Sequence, residues 1–261
     1  MKVELTPILE KLRDIYDVEG VMPRFETYVS LMTGETSGEW LPLGVFSPMG
    51  KKQAAYLDKL IEQGAEHIAE KTANKAAERL SVLSGYYRIL LVVADVARNG
   101  WTQRYLTDAE WRFYDKYNTM PQEATATGFD RWVTIQLWTD EEPTETYIRQ
   151  ETLAAIYRAA HLKHFGVPRT LEAMMLQEGR ALAFAGCTPE LEKEDIMYSR
   201  EVIQPYLKST DNAVCFTALY GDDIARAAGY PPLGLSRFAG MIVGLVDALE
   251  KGSIETCLTK R

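Results

Sequence analysis

Apolar residues recur along this chain with two different periods, and the switch between them outlines its elements. Thr6-Pro7 opens a first helix to about Tyr16, with the threonine as N-cap and the proline in the first turn, where a missing N–H costs nothing. A second helix runs from Pro23 to about Met32 and stops before Gly34, and the proline- and glycine-bearing stretch 34–50 reads as a loop. Ser47-Pro48 then starts a stretch rich in good helix formers from Met49 to about Ser84, with Tyr56, Leu57, Leu60 and Ile61 at helical spacing. Gly64 divides it in two.

The period changes at Tyr86 to Ala94 and again at Arg131 to Trp138, where aromatic and β-branched residues run almost without interruption. This is the pattern of strands buried on both faces. The stretch 95–130 between them is irregular or partly helical and carries Trp101, Trp111, Phe113, Tyr114 and Tyr117. Pro143-Thr144 begins a long helix to about Phe165, ended by Gly166-Val167-Pro168, and Thr170 caps a further helix to about Ala185. Pro189 opens a charged helix to Pro205, and 212–228 and 235–251 are the last two. Helices, two strands and a run of helices define an α+β fold, predominantly helical, with a small sheet around two central strands, 86–94 and 131–138. Without a Pro/Gly/Ser-rich linker, residues 1–261 are expected to form a single globular domain.

Composition narrows the class. Hydrophobic residues make up 46% and charged residues 25%, as in folded domains rather than disordered chains. A charge of −8, from 29 Lys and Arg against 37 Asp and Glu, opposes a nucleic-acid partner, which needs a positive field. Cys187, Cys215 and Cys257 are odd in number and lack CxxC spacing, so they read as thiols of a reducing, cytoplasmic compartment rather than a disulfide framework or zinc knuckle. Charges within the first 16 residues break up any secretory apolar core, and the most apolar runs, 89–94 and 238–246, are too short to span a membrane. The expectation is a soluble, cytoplasmic protein with neither membrane nor nucleic acid as partner.

The common nucleotide, hydrolase and zincin signatures are absent: no GxxxxGK[ST], GxGxxG after a strand, GxSxG or HExxH occurs. The identity of any cofactor is left open by the sequence. Glu178 carries the strongest chemical signal, because at 100° per residue it falls inside the stripe of Leu171, Met174, Met175, Leu182 and Ala185. A carboxylate in a core must be paired, bound to a metal or protonated. A structural ion pair with a buried arginine, such as Arg104 or Arg158, satisfies it, and so does a catalytic or ligand-binding role. His161 and His164, at i and i+3 on one helix, point toward its apolar side. With Glu178 they could chelate a metal, or they could be hydrogen-bonded histidines near a helix C-terminus.

A third cluster follows the strands: Asp95, Arg98, Trp101, Arg104 and Tyr105 after the first, Thr139, Asp140 and Glu141 after the second. Parallel strands would bring both groups to one carboxyl edge, where α/β proteins build ligand crevices, whereas an antiparallel return would separate them. Ser47 to Lys52 could hold an anion but is explained by capping, and Asp222-Asp223 reads as an acidic helix start. These residues support a small-ligand-binding protein or enzyme with a polar pocket between the sheet edge and helices 144–165 and 170–185. Arg104, Tyr105, Tyr157, Arg158, His161 and His164 would bind the ligand and Glu178 would be the catalytic group. One alternative is a metal-assisted hydrolase using Glu178, His161 and His164. Another is a non-enzymatic interaction or regulatory protein using the aromatic segment 101–117.

Overall fold

A computed structural model describes residues 1–50, 52–81, 83–95, 103–114, 131–252 and 255–258. Its elements are β1 (Lys2–Leu5), α1 (Leu9–Asp14), α2 (Val21–Thr33), α3 (Gln53–Glu62), α4 (Ala65–Arg79), β2 (Tyr86–Ala94), α5 (Arg104–Tyr114) and β3 (Arg131–Trp138). They are followed by α6 (Glu145–Phe165), α7 (Leu171–Phe184), α8 (Lys193–Ile203), α9 (Asn212–Tyr220), α10 (Asp222–Ala227) and α11 (Ala239–Glu250). The fold is α+β and predominantly helical, as the periodicity predicts. Its contacts divide the chain into two compact units, Met1–Arg104 with Lys116–Ile156, and Tyr105–Asp115 with Tyr157–Arg261.

The first unit is built on a three-stranded sheet of order β1-β2-β3, all parallel, with Lys2 opposite Tyr86 and Tyr87 opposite Arg131. Central β2 has no exposed residue from Ile89 to Ala94, which accounts for its unbroken apolar sequence. β1 is not anticipated from the sequence, because its four residues, alternating exposed and half-buried, give no apolar run. Its presence shifts the first helix. Thr6 is not the N-cap: its N–H continues the ladder to Ile89 O (2.8 Å) and its hydroxyl accepts from Arg88 (2.8 Å). The helix begins at Leu9 instead, and the Glu66 carboxylate from α4 accepts the Ile8 and Leu9 N–H groups at 2.6 and 3.0 Å.

Ser47-Pro48 likewise forms a turn, with Gly50 N–H donating to Ser47 O (3.1 Å), and α3 begins at Gln53. The tertiary reason is the buried Gln53 side chain, whose amide donates to Val93 O at 3.2 Å. Gly50 lies against it so closely that a Cβ there would come within 2.5 Å of Gln53 Oε1 and 3.2 Å of Asp95 Oδ2. Gly64, left-handed at φ 65°, separates α3 from α4.

The second unit is helical. Phe113 of α5, Leu171 and Met174 of α7, Phe216 and Tyr220 of α9 and Met241 of α11 share one apolar core. α7 and α11 touch through Gly179 and Gly244, where a Cβ on Gly179 would stand 2.1 Å from Gly244 carbonyl atoms. Thr170 caps α7 as expected, accepting Ala173 N–H at 3.3 Å. Three expected boundaries move. The charged helix starts at Lys193 rather than Pro189, because Leu191 packs against the core from an extended approach. Gly221, at φ 85° with Ser236 O where its Cβ would be (2.3 Å), breaks 212–228 into α9 and α10. Asp222 then accepts Leu233 and Gly234 N–H groups (2.9 Å each), holding 233–235 as loop, so α11 begins only after Phe238.

Candidate functional site

Parallel pairing brings the ends of β2 and β3 to the same edge of the sheet, with Ala94 opposite Trp138. Thr139 bridges them: its N–H donates to Ala94 O (3.0 Å) and its hydroxyl to Asp95 Oδ1 (2.8 Å). The next two residues, Asp140 and Glu141, both grip the Arg104 guanidinium, which lies 5.5 Å from the Trp138 ring. Of the residues expected at this edge, Asp95, Arg104, Thr139, Asp140 and Glu141 converge. Arg98 and Trp101 lie outside the described residues.

Tyrosines complete the edge, and the sequence pattern does not single them out as polar groups. Tyr56 sits in the apolar stripe of α3 and is 6% exposed, yet its hydroxyl has no hydrogen-bond partner among the described residues. Burial, then the charges of Glu141, Asp140 and Glu142, push its phenol well above the ordinary value. Tyr147 accepts the Trp138 N–H (3.2 Å), and Tyr16 donates to Ser47 O (2.6 Å). Burial raises both phenols, with Glu151 adding at Tyr147 and Asp95 at Tyr16. All three stay protonated at neutral pH; the Tyr16 O–H is already given to Ser47 O, whereas the Tyr56 O–H has no acceptor among the described residues. Among the described residues the acids Asp95, Asp140, Glu141 and Glu142 outnumber the cations Arg104, Lys59, which is 3.7 Å from Glu142, and Arg24, which lies 5.7 Å from the Tyr16 ring. Such an edge suits hydroxyl groups, which donate to carboxylates and accept from phenols, and ammonium groups, which donate to the carboxylates.

The other expected site residues belong to the second unit. Glu178 is fully buried, as its wheel position requires, and Arg158 meets it in a two-point contact, Nε to Oε2 at 2.8 Å and Nη2 to Oε1 at 2.7 Å. Arg112 of α5 also pairs with Oε1 and stands 2.7 Å from Asp108, which accepts from the buried Tyr220 hydroxyl (2.9 Å). Burial alone would raise the Glu178 pKa, but the two guanidinium charges outweigh it and hold it down at about 2. Arg104, the other arginine considered for Glu178, is held at the sheet edge instead. The sequence pattern does not single out Arg112 and Asp108 as partners of Glu178, and their i,i+4 spacing on an amphipathic helix is the one signal that could find them.

Tyr157 is buried with its ring 5.2 Å from Phe184. His161 is 4% exposed between Tyr157 (6.3 Å) and Phe165 (4.7 Å), and its Nδ1 has no partner among the described residues. Burial, then Arg180 and His164, lowers its pKa to about 4. His164 is half-buried, edge-on to Phe165. Among the described residues no group of three His, Cys, Asp or Glu side chains is arranged to hold a metal ion. In the aromatic segment, Tyr105 takes a bond from Arg237, Trp111 and Phe113 are buried, and Trp101 and Tyr117 lie outside the described residues. No helix among the described residues is long and apolar enough to cross a membrane.

Comparison of the chain with protein-family models, with curated proteins and with solved structures finds no match.

Proposed function

We propose that this protein binds a small polar molecule, rich in hydroxyl or amine groups, at the carboxyl edge of its parallel sheet. The observation that carries this is the buried Tyr56 hydroxyl, left without a partner among the described residues beside Asp140 and Glu141. An unmade hydrogen bond in a buried position costs about 1–3 kcal/mol, which a ligand group arriving there would recover. Thr139, bonded to Asp95, supplies a fixed polar pair at the same edge. The excess of carboxylates favours a neutral or cationic ligand over an anionic one.

Glu178 is left out of this site because both of its oxygens are engaged by arginines. Metal-assisted hydrolysis through Glu178, His161 and His164 draws no supporting observation, and neither does a partner patch on segment 101–117.

Thermal melting and calorimetry against polyols, nucleosides, amino acids and polyamines test the proposal. A binding member of the panel should raise the Tm of the wild type, and Tyr56→Phe, which removes one oxygen, should bind it about tenfold more weakly, or ~1.4 kcal/mol. A panel without effect, or a ligand held equally well by Tyr56→Phe, overturns the proposal.

A further inference from the structure

A groove of about 500 Å³ runs between α7 and α11 in the second unit, within the size range of small-ligand sites. Its floor is apolar: Met175, Leu176, Leu207 and Ala248 line it, and Leu176 remains 38% exposed. The Gly179–Gly244 contact sets the helix separation, and the small side chains of Ala173 and Ala248 leave the adjoining space unfilled. Four charged residues besides contribute to the lining, and they are not equivalent. The two acids are ion-paired, Glu172 with Lys208 and Asp247 with Arg200 at 2.6 Å, an arginine that Glu250 also approaches at 3.7 Å. The two cations, Arg180 and Lys251, have no ion-pair partner among the described residues. The groove therefore presents apolar surface together with uncompensated positive charge, in a chain whose net charge is −8.

We infer that this groove is a second binding site, for an amphipathic carboxylate: one anionic head with an unbranched apolar body. An apolar body fits the floor, and each CH₂ transferred there from water contributes about 0.8 kcal/mol. An anionic head answers Arg180 or Lys251, and a guanidinium in particular holds a carboxylate by two parallel hydrogen bonds. A cationic head would meet two like charges with both acids already taken. The negative net charge of the chain works against diffuse uptake of anions, so selectivity for an anion would report this groove.

The test uses the full chain with sodium octanoate, and octylamine as the head-group control, by calorimetry and by chemical-shift changes at low salt. Octanoate should bind and shift resonances of α7 and α11, while octylamine should bind at least tenfold more weakly. The double variant Arg180→Gln/Lys251→Gln changes exposed or half-exposed positions, and should retain the wild-type circular dichroism while losing at least tenfold in octanoate affinity. Ala248→Trp, which fills the groove, should abolish binding, and Tyr56→Phe should leave it unchanged, separating this site from the sheet edge. Absence of octanoate binding, equal binding of octylamine, or full affinity in the double variant overturns the inference.

Discussion

Glu178 shows what a single residue can reveal about its surroundings. Its place on the apolar stripe required a partner, and the structure supplies two, Arg158 and Arg112. Glu178→Ala would remove the buried carboxylate that both guanidinium groups share, and should cost ~3–5 kcal/mol in urea denaturation. Glu178→Gln keeps the shape but not the charge, and should recover little of that loss. The same wheel could not say which arginine would arrive, because Arg112 comes from α5, a segment 66 positions away whose approach is set by tertiary packing. His161 gives a complementary pH signature. In the fold its imidazole stays neutral down to about pH 4, while the unfolded chain takes the proton near its ordinary 6.5. The unfolded state thus binds more protons, and stability present above pH 6.5 should decline as pH falls toward 4, by on the order of 3 kcal/mol. Glu178 extends the decline, since its depressed pKa gives stability present above about pH 4.5 and lost as pH falls toward 2. His161→Leu should flatten the upper part of this profile, between 6.5 and 4, and leave the lower part intact. An unchanged slope between 6.5 and 4 would exclude His161 as its source.

At the scale of elements, the contact between α7 and α11 depends on the absence of two side chains. Gly179→Ala would drive a methyl group to 2.1 Å from backbone atoms of Gly244, where no rotamer change can relieve it. The helices must part, and the loss should be about 3 kcal/mol or more. Gly186→Ala is the control: at φ 75° it has nothing within 4 Å of the new Cβ, so only backbone strain of ~1–2 kcal/mol applies. Urea midpoints of the two variants should differ accordingly, and equal midpoints would mean that the crossing yields easily. The sequence disclosed the elements whose signals are local. β2 and β3 were legible to the residue because burial on both faces writes a continuous apolar run, and Gly34, Gly64 and Thr170 marked helix ends by their own conformations or side chains. It concealed those set by distant partners. β1 owes its pairing to β2, α1 takes its cap from Glu66, and Gly221 interrupts a helix because the Ser236 carbonyl occupies the adjoining space. The sheet edge was half legible: the charged residues after each strand stood out, but whether they met depended on parallel pairing, and Tyr56 looked like an ordinary core residue.

The whole molecule has an interleaved chain path, since each compact unit is assembled from two separate stretches of sequence. A fragment beginning at Tyr157 carries most of the second unit but lacks α5, and with it Phe113 from the core and Arg112 from the Glu178 network. Such a fragment should show helical circular dichroism well below that of the intact unit and be rapidly proteolysed. Adding a peptide covering 105–115 should restore protection. A fragment stable on its own would mean that α5 is dispensable. The sheet has a related consequence for how the protein comes into being. β1 leaves the ribosome first, but its partner is Tyr86 to Ile89, and β2 in turn waits for Arg131 onward. Because a sheet in which every neighbour is parallel offers no hairpin to nucleate on, its assembly must follow the closure of two long loops, an entropic delay that slows folding. While the 36 residues from 95 to 130 are being made, the nascent chain therefore holds a β2 whose apolar run from Ile89 to Ala94 has only the short β1 to pair with, and that interval, rather than the finished fold, is where this protein is most exposed to aggregation.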